Sequence, residues 1–317
     1  MNKFTATPNV ITTLNLYRFK NIQSYKKMYN NKNKAININH LKDLQLIKDE
    51  MINGSLIADS CKHVQLYALE QMYVANSVTM YSKLSSLIFV RNEIAGVLFQ
   101  VYAFLRIYQN VFTHYDLHLK NILLVQIPNR TLSFTYIDTI LKQQVSFTSN
   151  YLVKIIDYSR SYCQKTTESF RALLCQQTKD CKNCGKFDGY YQLSNDEKPD
   201  DLNYLKSSYV NRSTDLRLLD TIMPIITKFN PVLSNILKTV QYLKDADFSP
   251  EIRESGINKN KINNVEDAYQ MLFQSLKEMK HTSQSNTPVY GKFTIDTTPL
   301  KSMDDIKSQT AYTFTLV

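Results

Sequence analysis

The sequence predicts a mixed α+β fold, and three observations carry that expectation. Residues 91–109 place Ile94, Val97, Leu98, Val101, Leu105 and Tyr108 at steps of three and four, which is one apolar face of a helix. Short runs dense in β-branched and aromatic residues follow at 121–126, 132–140 and 151–156. Helical spacing returns past Asn211, over 214–228, 231–244 and 264–279, the last with Asn264 as a cap.

The elements before and after these follow the same logic. Residues 8–20 have strand-like density, and 25–36 read as a loop. Between His40 and Ala58, Leu41, Leu44, Leu46, Ile47, Met51 and Ile52 fall near helical spacing. Val64–Leu69 forms a short apolar run suited to a buried strand. The most apolar stretch, 94–105, is interrupted by Gln100 and suits a buried helix. Pro128, Asn129 and Arg130 mark a turn between the runs at 121–126 and 132–140. The last residues, 281–317, are rich in Thr and Ser with little periodicity, and a polar tail or edge appendage is expected there.

Composition narrows the function classes. Apolar residues make up 43% of the 317 positions, enough for a hydrophobic core and against global disorder. No run approaches the roughly 18 apolar residues of a membrane span, so no membrane partner is expected. Nor does an apolar segment follow Met1–Thr5 as in a signal peptide. Lys and Arg exceed Asp and Glu by 38 to 28, a formal charge of +10. The basic residues are scattered, with Lys26, Lys27, Lys32 and Lys34 the densest group. A solvated basic face is the plainer reading, and nucleic acid is not expected as the main partner. Six glycines in the whole chain leave no glycine-rich phosphate loop of either common pattern.

The sharpest feature is His114-Tyr115-Asp116-Leu117-His118-Leu119-Lys120-Asn121-Ile122-Leu123-Leu124, directly after the amphipathic helix. An Asp, an Asn five residues later and an apolar strand fit a phosphotransferase catalytic loop. The Asp must reach an acceptor hydroxyl while the Asn turns back towards a metal on the phosphates. A second piece, Val153-Lys154-Ile155-Ile156-Asp157-Tyr158-Ser159, is an apolar strand ending in a metal-type Asp. Tyr158 stands at the aromatic place of a D-F-G motif and Ser159 at its glycine.

With both pieces in this order, the chain resembles the protein kinase superfamily, and looks most like kinase-like proteins of large cytoplasmic DNA viruses. The similarity extends to Asn211–Leu219 and covers residues 60–225 best, and because the stretch from Asn121 to Asp157 is longer than in an ordinary kinase, it implies a hairpin insertion around 128–150. It implies a two-lobe α+β fold with a mainly helical large lobe and a reduced or incomplete small lobe. The implied division is 1–75 for the small lobe and hinge, 76–280 for the large lobe with a cysteine-bearing insertion at 161–208, and 281–317 for the tail. It also implies ATP and Mg²⁺ as cofactors, Ser/Thr of a protein as acceptor, and the host cytoplasm or virion as location.

Roles follow from the resemblance residue by residue. Asp116 would be the catalytic base, and Asn121 and Asp157 would hold Mg²⁺. Lys120 would supply charge beside the γ-phosphate, with His118 as a hydrogen-bond donor. His114 would pack beneath the loop, and Asp215 would bond the loop backbone. His118 also resembles the loop of small-molecule phosphotransferases. No V-A-I-K lysine is recognisable, and Lys20, 96 residues before Asp116, is the candidate, with Glu50 as its partner. Alternatively, Pro8–Tyr17 resembles a later part of the small lobe. The ATP-gripping strands would then be missing, and the chain would be a catalytically inactive pseudokinase or interaction module.

Four of five cysteines fall within 22 residues: Cys163, Cys175, Cys181 and Cys184. Cys181-Lys182-Asn183-Cys184-Gly185 has the C-x-x-C-G form of a zinc knuckle. A structural Zn²⁺ on these four is one expectation, with thiols or a redox pair as the others.

Overall fold

The strands and helices of this computed structural model are described over residues 7–19, 44–46, 67–158, 161–164, 190–193, 203–206, 210–240, 262–279, 287–307 and 312–317. The chain divides into two compact units. One comprises Met1–Ile11, Val74–Gln164 and Tyr209–Val317, and the other Thr12–Tyr73 and Lys165–Ser208. The fold is α+β, with several helices and a few small sheets.

In the second unit, β1 (Thr13–Phe19) lies between β2 (Leu44–Leu46) and β3 (Tyr67–Gln71), antiparallel to both. The helix expected between His40 and Ala58 is therefore a strand at Leu44–Leu46. Pairing with β1 decides the local conformation there, as tertiary context can override a weak periodicity. Glu50 and Lys20 lie outside the described residues.

The larger unit opens with β4 (Ser77–Thr79) and two short helices, α1 (Met80–Lys83) and α2 (Leu87–Asn92). Its centre is α3 (Ile94–Tyr108), in which all fifteen residues are buried. A helix covered on every side cannot be read from one apolar stripe alone. Its two polar residues are satisfied by specific partners. Gln100 gives Nε2 to the Tyr151 carbonyl (2.9 Å) and accepts from the Val153 amide (3.0 Å), so it caps the backbone of a neighbouring strand. Arg106 lies 3.1 Å from the Asp138 carboxylate, donates its Nε to Glu266 and its Nη1 to the Thr297 carbonyl, and stacks over Tyr269.

Two sheets flank this helix. The first places β6 (Ile122–Gln126) between β4 and β9 (Tyr151–Ile155), with Ile122 opposite Ile155. The N-terminal residues extend it: Asn9 accepts from the Ile155 amide, and Val10 bridges Ile155 in parallel. The short β5 (Phe112–Thr113), between α3 and the loop that follows, pairs instead with β10 (Tyr162–Cys163). The second sheet begins with the expected hairpin, β7 (Thr131–Asp138) and β8 (Gln143–Ser149). In the other unit, β11 (Tyr190–Leu193) pairs with β12 (Asn203–Lys206). Three further helices complete the larger unit: α4 (Arg217–Ile226), α5 (Pro231–Leu237) and α6 (Val265–Glu278). The Asn264 side chain caps α6 by accepting from the Asp267 amide at 2.9 Å.

For 281–317, where a polar tail or an edge appendage is expected, the described residues hold two strands at one side of the second sheet. β13 (Val289–Asp296) runs parallel to β7, and β14 (Tyr312–Leu316) pairs antiparallel with β13, giving the order β14-β13-β7-β8. The reason is the alternation of Gly291, Phe293 and Ile295, which are buried, between more exposed neighbours. Phe314, Phe293, Phe134 and Phe147 stand opposite one another across all four strands. Their ring centroids are 4.4, 5.3 and 5.4 Å apart, so a single aromatic row ties the strands together. A Cβ at Gly291 would run into the Phe314 ring, so glycine there lets that ring lie over β13. Among the described residues, no helix is long and apolar enough to cross a membrane.

Arg106→Met leaves Asp138 buried without its cation, and is expected to lower stability by about 3–5 kcal/mol. Urea denaturation with an unchanged m-value checks this, and a loss below about 1 kcal/mol would contradict it.

Candidate functional site

The loop between β5 and β6 is fixed by a carboxylate from another part of the chain. Asp215, on a 3₁₀ turn (Thr214–Leu216) that runs into α4, accepts from the backbone N–H of His114 at 2.8 Å and of Tyr115 at 3.0 Å, one bond to each oxygen. This is the bond to the loop backbone expected for Asp215. The turn itself is set by Asn211, whose Oδ1 accepts from the Ser213 and Thr214 amides at 3.0 Å each. Tyr102 of α3 donates its hydroxyl to the Asp215 carbonyl at 2.9 Å, which joins the turn to the central helix. Tyr115 is held at φ 64°, a left-handed conformation that costs a non-glycine residue about 1–3 kcal/mol.

His114 is fully buried beneath the loop. Its Nδ1 accepts from the Asp116 amide at 3.3 Å, so in the neutral ring Nε2 carries the proton and donates to the Ile156 carbonyl at 3.0 Å. Burial pushes its imidazole down to about 4, against the pull of Ile156 and of the Asp116 and Asp157 charges. The ring packs between Phe112 and Tyr158, with centroids 6.3 and 5.5 Å away. Burial also raises the Asp215 carboxyl to about 7, against the two N–H bonds that favour its charged form.

Asp116 follows at the tip of the loop, partly exposed. The Asn121 Nδ2 donates to the Asp116 carbonyl at 2.9 Å, which leaves Oδ1 as the oxygen that Asn121 can offer to a cation. The Asn121 carbonyl accepts from the Ile156 amide at 3.0 Å, so the loop and the end of β9 are stitched together. Asp157 comes one residue later, exposed, with φ 60°. His118 opens the 3₁₀ turn Leu119–Asn121, and its Nδ1 accepts from the Lys120 amide at 3.2 Å, leaving Nε2 as the donor. Burial holds the His118 imidazole below its ordinary value. Arg217 and Lys120 push it the same way, while Asp116 and Asp157 oppose. Those four charges therefore act on His118 at short range. Lys120 is exposed, with Nζ 5.5 Å from the centre of the Tyr81 ring.

The structure thus brings together Asp116, His118, Lys120, Asn121 and Asp157 of the sequence candidates. Cys163 lies apart from them on β10, half-buried, with Sγ 3.9 Å from the Met303 sulfur. Lys20, Cys175, Cys181 and Cys184 lie outside the described residues. Among the described residues, no group of three or more His, Cys, Asp or Glu side chains could hold a metal. Asn121 Oδ1 and the Asp157 carboxylate are hard oxygen donors, and Mg²⁺ is commonly held by one or two such groups together with substrate phosphates. The pair fits that ion. No family model, curated protein or solved structure matches the chain.

One residue of the cluster was not among the candidates. Arg217, at the start of α4, places Nη1 3.9 Å from the Asp116 Oδ1. The signal was its position two residues after Asp215, on a turn already bound to the loop.

Asp215→Asn puts an N–H against one of the two loop amides, and is expected to cost about 1–3 kcal/mol of stability. The pH dependence adds a sharper test. Asp215 binds protons more tightly folded than unfolded, so its contribution falls as pH rises from its ordinary 3.8 to about 7. His114 is depressed, so its contribution is present above 6.5 and is lost as pH falls towards about 4. The two slopes oppose, and Asp215→Asn should make stability rise more steeply between pH 4 and 6.5 than in the wild type. Parallel urea-midpoint profiles would contradict this.

Proposed function

We propose that the chain is a kinase-like phosphotransferase, moving the γ-phosphoryl group of ATP to a Ser or Thr hydroxyl of a protein. The observation that carries the reading is that Asp116 and Asn121 share a loop whose backbone is bonded to the buried Asp215, and that this loop is joined at Asn121 to Ile156, the neighbour of Asp157. Phosphoryl transfer needs little covalent help from a protein. It needs a positioned base, oxygen donors for the phosphate-bound cation and a loop that does not move.

In this reading Asp116 accepts the proton of the acceptor hydroxyl. The hydroxyl oxygen bonds to the γ-phosphorus, and the bond from that phosphorus to the β-phosphate oxygen breaks to release ADP. Asn121 and Asp157 hold Mg²⁺, which when bound neutralises phosphate charge. His118 supplies Nε2–H, and Lys120 supplies a mobile positive charge. His114 acts through its two hydrogen bonds, which fix the Asp116 backbone relative to Ile156 and hence to Asp157. The two-lobe kinase arrangement belongs to the same proposal, with Lys20 as the cation of a reduced small lobe.

Asp116→Asn removes the base and leaves the fold in place. Transfer from labelled ATP to Ser/Thr proteins should fall about 10²–10⁴-fold in kcat. Equal transfer by the variant would overturn the role of Asp116. A wild type that binds ATP with Mg²⁺ but transfers only to small-molecule hydroxyls would reassign the acceptor. A wild type that does neither would make the chain an inactive interaction module.

A further inference from the structure

The Arg217 guanidinium presents five N–H donors at the base. Among the described residues its side chain has no hydrogen-bond acceptor, and its one ionic neighbour, Asp116 Oδ1, stands at 3.9 Å, beyond hydrogen-bond range. The side chain is 28% exposed, so it is neither packed away nor free in solvent. Arginine donors in such a setting suit a carboxylate or phosphate, which a guanidinium binds in a fork.

The elements around Asp116 say which anion this is. Asn121 and Asp157 come from the ends of β6 and β9, and the proposed nucleotide phosphates belong on that side. Arg217 comes from α4, which joins the loop through Asp215 instead. A hydroxyl on Asp116 would then meet the proposed cation through the ends of β6 and β9, and Arg217 through α4. The anion within reach of Arg217 is one carried by the acceptor. The chain as a whole carries +10, which draws acidic rather than basic protein surfaces to it.

We infer that Arg217 is a specificity residue, and that the acceptor is a Ser or Thr in an acidic peptide segment, with a carboxylate or phosphate side chain next to the hydroxyl. This rests on the phosphotransferase reading above. The guanidinium binds that anion, and so seats the hydroxyl on Asp116 and displaces the loose ion pair.

The test compares full-length wild type, Arg217→Gln, Arg217→Lys and Asp116→Asn on three Ser peptides that differ only in flanking residues: Asp/Glu, Asn/Gln or Lys. Wild type should prefer the acidic peptide over the neutral one by about tenfold or more in kcat/KM, as expected for a charge-assisted hydrogen bond. Arg217→Gln should bring that ratio close to one, mainly through KM, and Arg217→Lys should give an intermediate ratio. A small hydroxy acid run in parallel separates sources of the anion, and selective use of it over the acidic peptide would overturn the peptide assignment. Binding of the acidic peptide without turnover, followed by fluorescence, should weaken in Arg217→Gln, and does not depend on catalysis. Transfer by wild type with no acidic preference, or a preference kept by Arg217→Gln, would overturn this inference alone. No Asp116-dependent transfer to any peptide would overturn the phosphotransferase reading and this inference with it.

Discussion

Two adjacent amides, those of His114 and Tyr115, lie buried where neither a helix nor a sheet can satisfy them, and one carboxylate answers both. A buried N–H without an acceptor costs about 1–3 kcal/mol, so two would consume much of a domain's stability. Asp215 removes that cost and, in doing so, sets the conformation of the residues that follow. Tyr115 is kept left-handed, and Asp116 emerges partly exposed with its amide bonded to the Nδ1 of His114, which burial keeps neutral. The geometry at the loop tip is thus decided some hundred residues away in sequence.

The rest of the larger unit supports that one contact. Asp215 sits on a turn held by Asn211 and tied to α3 by Tyr102. Helix α3 is locked in turn by polar groups rather than by packing alone. Gln100 reads the backbone of β9, which leads to Asp157, and Arg106 joins β7, α6 and the segment after β13. A buried polar residue leaves fewer alternative registers than an apolar one, because any slip strands its hydrogen bonds. Both ends of the candidate site therefore rest on the same helix.

What could be read in advance was local. The spacing from His114 to Asn121 and the run from Val153 to Asp157 are short, and side-chain chemistry at fixed offsets survives without knowledge of the fold. The helix at 94–108 and the cap at Asn264 were legible for the same reason. What was hidden depends on partners distant in sequence. β13 pairs in parallel with β7 across some 160 residues, and its Thr-rich composition resembles a tail until Phe293 is set against Phe134. Leu44–Leu46 became a strand because β1 lies beside it. Arg217 lay within the run Asn211–Leu219 without a role of its own, and only the turn that brings Asp215 to the loop brings the guanidinium to Asp116.

The proposed function requires the loop at 114–121 and the end of β9 to form one site for a phosphate-bound cation. Calorimetric titration of ATP into the full-length protein, with and without Mg²⁺, tests it most directly. The proposal requires Mg²⁺-dependent binding that Asp157→Asn weakens by about tenfold or more, since loss of even a residue behind a metal ligand costs a metal site 10–100-fold, and that Asp116→Asn retains. ATP binding indifferent to Mg²⁺, or unchanged in Asp157→Asn, would contradict it.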